Sequence, residues 1–104
     1  MAIWRIHEFQ PLRDRWEDCI KRAVENKKYF DSIGVKSRCF RAEDGGPAIH
    51  MTFITEVEDW IQQGKMMHRC ESDPEYSRMF AEGLADSVHE NYSARTVIEV
   101  PLIY

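Results

Sequence analysis

Hydrophobic and polar positions follow two different periods along the chain. Short runs rich in β-branched and aromatic side chains predict four strands, over residues 2–9, 35–41, 48–55 and 94–100. Between the first two runs, residues 11–32 carry apolar side chains at three- and four-residue steps, which predicts a long amphipathic helix. Pro11 suits the first turn of that helix, and Gly34 lies where a helix commonly ends.

A second helical region lies between the third and fourth predicted strands. Thr55 and Glu58 have capping-box spacing, which indicates one helix start, and we expect Gly64 to interrupt that helix. The segment SDPEY (72–76) predicts another start, because Ser72 or Asp73 can cap and the following proline fits an early helical position. We expect the helix that follows to bury its apolar residues: Tyr76, Met79, Phe80, Leu84 and Val88.

The resulting element order is β-α-β-β-α-β, with the second helical region divided in two. Two βαβ-like halves in this order predict a ferredoxin-like α+β sandwich. Right-handed crossovers then give an antiparallel sheet in the spatial order 4-1-3-2, with the helices on one face. The length of 104 residues fits a single domain, residues 1–104.

Strand alternation predicts which side chains lie on the uncovered face of the sheet. On the first strand we place Ala2, Trp4 and Ile6 under the helices, with Arg5 and His7 on the opposite face. The apolar residues of the other strands, Val35, Cys39, Ile49, Met51, Phe53, Thr96, Ile98 and Val100, are likewise placed under the helices. The uncovered face would then gather Arg5, His7, Arg38, Phe40, His50, Thr52, Arg95 and Glu99.

Three interpretations of this polar face remain open from the residues alone. Its arginines and Glu99 could pair with one another on a solvated or dimer-buried surface. Alternatively, the face could line a pocket in which His7 or His50 acts as general base and an arginine holds an oxyanion. A third arrangement, two histidines with one carboxylate around a metal ion, requires a strand register that the sequence does not supply.

Composition narrows the class of protein. An apolar fraction of 43% is ordinary for a globular chain, and 14 basic against 18 acidic residues give a net charge of −4. That charge argues against nucleic-acid or anionic-membrane binding, which needs a basic surface. We find no signal peptide and no apolar stretch of membrane-spanning length, so we expect a soluble, cytoplasmic protein. Three cysteines without a CxxC pair are interpreted as small hydrophobic residues.

The order of these segments resembles that of a known superfamily. The carrying stretches are AIWRIHEF, the first helix ending near SIGV, GGPAIHMTFIT, TEVEDW and SDPEYSRMF. Together they are similar to the dimeric α/β-barrel superfamily, and in particular to its NIPSNAP-like and antibiotic-biosynthesis-monooxygenase-like branches. The resemblance implies a homodimer through the uncovered sheet faces, a small organic ligand in the barrel, and a C-terminal tail, residues 102–104, that crosses to the partner.

The resemblance also implies candidate activities. One is a cofactor-independent monooxygenase or isomerase for a polyketide- or quinone-like substrate, with no metal. His7 and His50 would be catalytic, and the ligand-binding residues would be Arg5, Arg38, Phe40, Thr52, Arg95 and Glu99. A non-catalytic dimeric binding module is the alternative. A further alternative is haem binding or degradation through Trp60 and His68, although haem-degrading relatives use an asparagine on the first strand, where this chain has Arg5, Ile6 and His7.

Overall fold

The structure, a computed structural model, describes residues 2–44 and 50–103. Their strands and helices are β1 (Ile3–Pro11), α1 (Trp16–Ser32), β2 (Lys36–Arg41), β3 (Met51–Val57), α2 (Trp60–Ser72), α3 (Pro74–Ala85) and β4 (His89–Ile98). Residues 45–49 and 104 lie outside the described residues. They include most of the predicted turn, the first two residues of the predicted third strand and the C-terminal tyrosine.

The strands form one antiparallel sheet in the order β2-β3-β1-β4. The predicted ferredoxin-like sandwich and its strand order are therefore confirmed, with two helices between β3 and β4. The predicted break at Gly64 is wrong, because α2 runs through Gly64, whereas the predicted helix start within residues 72–76 is confirmed at Asp73 and Pro74. The predicted capping box at Thr55 is not formed, because Thr55 lies in β3 and Asp59 caps α2 instead. Asp73 accepts a hydrogen bond from the backbone N–H of Glu75 and so caps α3, with Pro74 in its first turn.

The first helix begins later than predicted. Pro11 ends β1 opposite His89, and the backbone N–H of Leu12 donates to the Val88 carbonyl at 2.9 Å, so strand pairing extends to this point. A turn then leads into α1 at Trp16. The other end of α1 is as predicted: Gly34 has a φ of 76°, a left-handed conformation that glycine adopts without strain.

The hydrophobic core lies between the helices and one face of the sheet. Its main cluster joins residues of β1, α1, β3 and α2 with the start of β2: Ile3, Tyr29, Phe30, Val35, Phe53, Val57 and Met66. A smaller cluster contains Cys19, Met51 and Val88, and the Cys19 thiol donates to the Val88 carbonyl at 3.2 Å. Contrary to the prediction, Phe80 and Leu84 of α3 are 62% and 72% exposed.

The strand register corrects the predicted faces of β1. Ile3 and Phe9, which belong to or pack against the core clusters, fix the side that faces the helices. By alternation, Arg5 and His7 lie on that same side, opposite the buried Thr55 and Phe53 of β3. Trp4 and Ile6 lie on the uncovered side instead. The predicted faces were reversed because β1 carries apolar side chains on both of its faces.

Candidate functional site

The uncovered face of the sheet has an apolar centre and a polar border. Cross-strand pairing places Ile6 beside Ile54, and Trp4 beside Val97. The predicted residues Arg38, Phe40, Thr52 and Arg95 share this face, as the register of β2, β3 and β4 shows. We call the set Trp4, Ile6, Arg38, Phe40, Thr52, Ile54, Arg95 and Val97 the uncovered face. Arg95 pairs with Glu8 at 2.9 Å, and the Trp4 indole donates to Glu56 at 2.8 Å.

The two predicted catalytic histidines do not converge. His50 immediately precedes β3 and is half-buried, and its backbone carbonyl accepts a hydrogen bond from the Ala42 N–H. Alternation from Met51, which is buried under the helices, places its side chain on the uncovered side of the sheet. His7 projects from the opposite side. Glu99 lies beyond the end of β4 and is exposed. A metal site built from His7, His50 and Glu99 is therefore not formed.

A different group of residues comes together on the helix side of the sheet, at an edge where Tyr92 is 53% exposed. His7 Nδ1 and the Tyr92 hydroxyl are hydrogen-bonded, and their ring centroids are 5.8 Å apart. The Arg5 guanidinium donates to the Thr96 hydroxyl at 3.2 Å. We call Arg5, His7, Tyr92 and Thr96 the helix-side cluster. It joins a cation, a histidine, a phenol and an alcohol on the adjacent strands β1 and β4.

His7 is held in its neutral form. Burial of the ring, together with the nearby positive charge of Arg5, lowers the pKa of His7 to about 4. Both causes disfavour the imidazolium cation. At neutral pH one ring nitrogen therefore keeps its contact with Tyr92, while the other is available to accept or donate a hydrogen bond. Among residues 2–44 and 50–103, Nε2 has no hydrogen-bond partner in the structure.

Further aromatic rings lie beside the Tyr92 end of this cluster, and sequence reasoning did not assign them to a site. His89 packs against Phe9 and Tyr92 with ring centroids 5.0 Å and 5.7 Å away. Burial, and to a lesser degree the charge of Arg22, lowers the pKa of His89. From α3, Tyr76 packs on the main core, and its pKa is raised by burial and by its neighbours, among them Tyr92.

The missed residues follow from the true start of β4. The strand begins at His89, five residues before the predicted start, and its pairing with β1 shifts between Glu8 and Gln10. Asn91 at this irregularity has a φ of 52°, the left-handed geometry that asparagine tolerates better than most residues. The irregularity lies beyond Tyr92, so the two-residue alternation still holds from Ile98 back to Tyr92, but the apolar signal used to predict the strand ends at Ala94. Extending the Thr96–Ile98 alternation backwards would have found it.

The structure does not bring together the residues of the other candidate sites, for a metal ion or for haem, within its described part. Within the described residues, no three His, Cys, Asp or Glu side chains are grouped as metal ligands would be. The two residues named for haem, Trp60 and His68, are both exposed on α2. An open cavity of about 560 Å³ lies between the end of α1, β3 and α2, where Lys36, Glu56 and Lys65 contribute to its charged wall. None of the predicted site residues lines this cavity.

No protein-family model matches the sequence, and no curated protein matches it. Several solved structures match the chain in fold. A NIPSNAP domain protein from Burkholderia xenovorans aligns with a TM-score of 0.74 at 11% identity, over 100% of this chain and 99% of that one. The chain therefore shares its ferredoxin-like fold with this NIPSNAP domain protein. The resemblance predicted from the sequence is thus confirmed at the level of the fold.

Two further structures share this fold. An antibiotic biosynthesis monooxygenase candidate from Deinococcus radiodurans has a TM-score of 0.62 at 14% identity, over 100% of this chain and 97% of that one. A dimeric protein of unknown function from Bacteroides fragilis has a TM-score of 0.57 at 12% identity, covering 92% and 94%. In the described part of the chain, none of the helices is long and apolar enough to cross a bilayer.

Proposed function

We propose that the chain binds a small organic molecule at the helix-side cluster and that His7 accepts a proton from it. The observation that carries this proposal is a neutral histidine two residues from an arginine, on one half-buried face and among aromatic rings. Aromatic walls with a few convergent polar groups are typical of small-molecule sites. A strongly shifted pKa in such a place favours a functional role over a structural one.

The same residues are suited to a particular type of chemistry. A neutral imidazole can take a proton from an acidic carbon or a phenol, and a guanidinium can stabilise the oxyanion that forms. Cofactor-independent monooxygenation or isomerisation of a polyketide- or quinone-like molecule needs these two groups. The fold shared with the D. radiodurans monooxygenase candidate supports this choice of reaction.

We also propose that the protein acts in the cytoplasm as a homodimer joined through the uncovered face. This face exposes an apolar centre of Trp4, Ile6, Ile54 and Val97 beside a Phe40 that is 49% exposed. Exposed apolar patches of this kind mark interaction surfaces. A two-fold axis through the patch would bury it in a self-complementary contact. The dimeric protein with the same fold from B. fragilis supports this arrangement.

Anthrone, a flat ketone with an acidic CH₂ group, is a suitable probe of the proposed reaction. Removal of a proton from that carbon gives the enolate, and addition of O₂ there gives a hydroperoxide. Loss of one water leaves anthraquinone, so one O₂ is consumed and one water is released per anthrone. Oxygen uptake above the protein-free rate measures turnover, and quenching of tryptophan fluorescence measures binding.

We expect the wild type to consume oxygen and His7→Gln to be slower by about a hundredfold, as for loss of a general base. His68→Gln, at an exposed position on α2, should match the wild type. His50→Gln distinguishes the two faces of the sheet. A loss of turnover in that variant, with His7→Gln unaffected, would move the site to the uncovered face and overturn our assignment.

The second candidate function is a non-catalytic dimeric binding module. It is favoured by the ion pairs at the border of the uncovered face, Arg95 with Glu8 at 2.9 Å and Lys36 with Glu56 at 3.8 Å. Binding of anthrone without oxygen uptake would favour this module over the enzyme. Absence of both binding and uptake would contradict a small-molecule site at the helix-side cluster.

A further inference from the structure

A polar row crosses the whole sheet on its helix side. Register pairing aligns one residue from each strand: Ser37 of β2, Thr55 of β3, Arg5 of β1 and Thr96 of β4. Directly paired residues of neighbouring strands have Cβ atoms about 5 Å apart, so these side chains form a continuous line. The rows on either side are mainly apolar, with Phe53 and Ala94 in one and Val57, Ile3 and Ile98 in the other.

Two hydroxyls of this row are buried at a cost to the stability of the fold. Thr55 is 2% exposed and Ser37 is 7% exposed. Within residues 2–44 and 50–103, neither hydroxyl has a hydrogen-bond partner. Gln63, which is 8% exposed on α2, has an unpartnered side-chain oxygen in the same described part of the chain. An unpaired buried polar atom destabilises a fold by about 1–3 kcal/mol, so an acceptor that reached these two adjacent hydroxyls would offset that cost.

The neighbouring Arg5 supplies the charge that these hydroxyls lack. Its guanidinium donates one hydrogen bond to Thr96, and a guanidinium has five N–H donors. A carboxylate offers acceptor sites to several donors at once, and charge-assisted bonds from arginine are the strong ones. The row runs from two buried hydroxyls to a half-buried cation and an exposed threonine, and donors of these two kinds suit the oxygens of an organic anion.

We propose that this row binds the carboxylate group of the ligand, with Arg5 and Thr55 as its principal donors. The inference rests on the proposed function and names its ligand class: a flat aromatic or conjugated carboxylic acid. His7 lies two residues along β1 from Arg5, which is about 7 Å in a strand. A carboxylate held by Arg5 would therefore place a ring of one or two fused six-membered units beside His7 and Tyr92.

A matched pair of probes separates this inference from the function on which it rests. 2-Naphthoate and 2-naphthamide have the same ring system and nearly the same shape, but only the first carries a carboxylate. We expect wild-type protein to bind 2-naphthoate at least about tenfold more tightly, in titrations followed by fluorescence. Equal affinities for both would overturn the carboxylate inference and leave the site itself standing. Failure of both to bind would count against the site.

Two variants test the donors. Arg5→Gln should remove the preference for 2-naphthoate, whereas Arg41→Gln should keep it, because Arg41 is an exposed arginine of β2 that pairs with Glu43 at 3.0 Å. Thr55→Val keeps the shape of the side chain and gives a second, independent test if Arg5→Gln fails to fold. We expect it to weaken 2-naphthoate binding severalfold and to leave 2-naphthamide binding unchanged.

Thr55→Val also distinguishes a ligand-binding hydroxyl from a structural one. Removal of an unpaired buried hydroxyl should raise the thermal midpoint of the unliganded protein by about 4 °C. A stabilised variant that has lost affinity for 2-naphthoate is the expected result. A destabilised variant with unchanged affinity would show that the hydroxyl belongs to the fold and would overturn its assignment as a donor.

Discussion

His7 lies two residues from Arg5 on one face of β1, and its ring contacts the phenol of Tyr92. The pKa of about 4 implies that the base form is present across the whole neutral range. If His7 accepts the substrate proton, activity should therefore stay constant from pH 8 down to about pH 5. A histidine with its ordinary pKa of 6.5 would lose activity well above that point.

The same shift makes folding stability depend on pH. The unfolded chain takes up a proton on His7 near pH 6.5, but the folded chain does so only near pH 4. The contribution of neutral His7 to the free energy of unfolding is therefore fully present above pH 6.5, and it is lost as the pH falls from 6.5 towards 4. We expect the free energy of unfolding to drop by about 1–2 kcal/mol between pH 7 and 4.5, after allowing for partial exposure of the ring.

Urea unfolding of the wild type, His7→Gln and His68→Gln at these two pH values checks this expectation. The drop should shrink in His7→Gln, leaving the smaller contribution of His89, whose pKa is also lowered. His68→Gln should behave like the wild type because His68 is exposed. Equal drops in all three proteins would show that His7 is not the buried titrating group.

At the residue level the sequence predicted only part of the candidate site. The face of Thr52 could be predicted because β3 has one clear apolar set, Met51, Phe53 and Val57. β1 has apolar side chains on both faces: Ile3 and Phe9 lie on one face, and Trp4 and Ile6 lie on the other. Either pair could have been the one that packs against the helices. Alternation cannot choose between them when the uncovered face is apolar as well. Arg5 and His7 were consequently named correctly as polar candidates but assigned to the wrong side.

Among the secondary-structure elements, the junction of α2 and α3 is stabilised by one side chain. Asp73 caps α3 and also accepts hydrogen bonds from the Tyr29 hydroxyl at 2.9 Å and from Arg69 at 3.2 Å. It thereby ties the junction to α1. The pKa of Asp73 is lowered, chiefly by the backbone N–H of Glu75 and then by Tyr29. The position of α3 relative to the sheet therefore depends on this carboxylate.

We expect Asp73→Ala to lower the free energy of unfolding by about 2–3 kcal/mol, because it removes a cap and leaves the buried Tyr29 hydroxyl without its acceptor. Asp59 provides the matched control. It caps α2 by accepting from Gln62 at 2.8 Å in an exposed setting, so Asp59→Ala should cost about 1 kcal/mol. Denaturant unfolding measures both losses of free energy, provided that the denaturant dependence (the m-value) is the same in both variants. Equal losses would contradict the role of Asp73 in joining α2 and α3 to α1.

Some element boundaries could be predicted from local sequence signals, whereas others were determined by long-range contacts. The start of α3 was predictable because Asp73 and Pro74 act within one turn. Pro11 carried a signal of equal clarity for a helix start, yet pairing with β4 kept it in a strand. Gly64 did not end α2, since one glycine costs a helix only about 1 kcal/mol. Tertiary contacts of Met66 and Gln63 on either side can offset that loss.

For the whole molecule, the sequence predicted the sheet order and the helix layer correctly. Connections between adjacent strands and the handedness of crossovers leave few arrangements for this element order, so topology is less sensitive to boundary errors than single residues are. The chain measures 45 × 39 × 18 Å. The smallest of these dimensions fits one layer of helices on one sheet, and the opposite sheet face remains uncovered.

The dimer proposal is tested by introducing a charge into the apolar centre of the uncovered face. Ile6→Arg would place its guanidinium beside Arg95, the β4 residue that pairs with position 6, and between two copies these charges would repel. We therefore expect the wild type to elute at twice the chain mass at micromolar concentration, and Ile6→Arg to elute as a folded monomer. Light scattering measures the mass, and circular dichroism confirms the fold. Ile61→Arg, at a position of α2 that is 68% exposed, should remain a dimer. If Ile61→Arg dissociates instead, the subunits meet through their helices, and the uncovered face needs another partner.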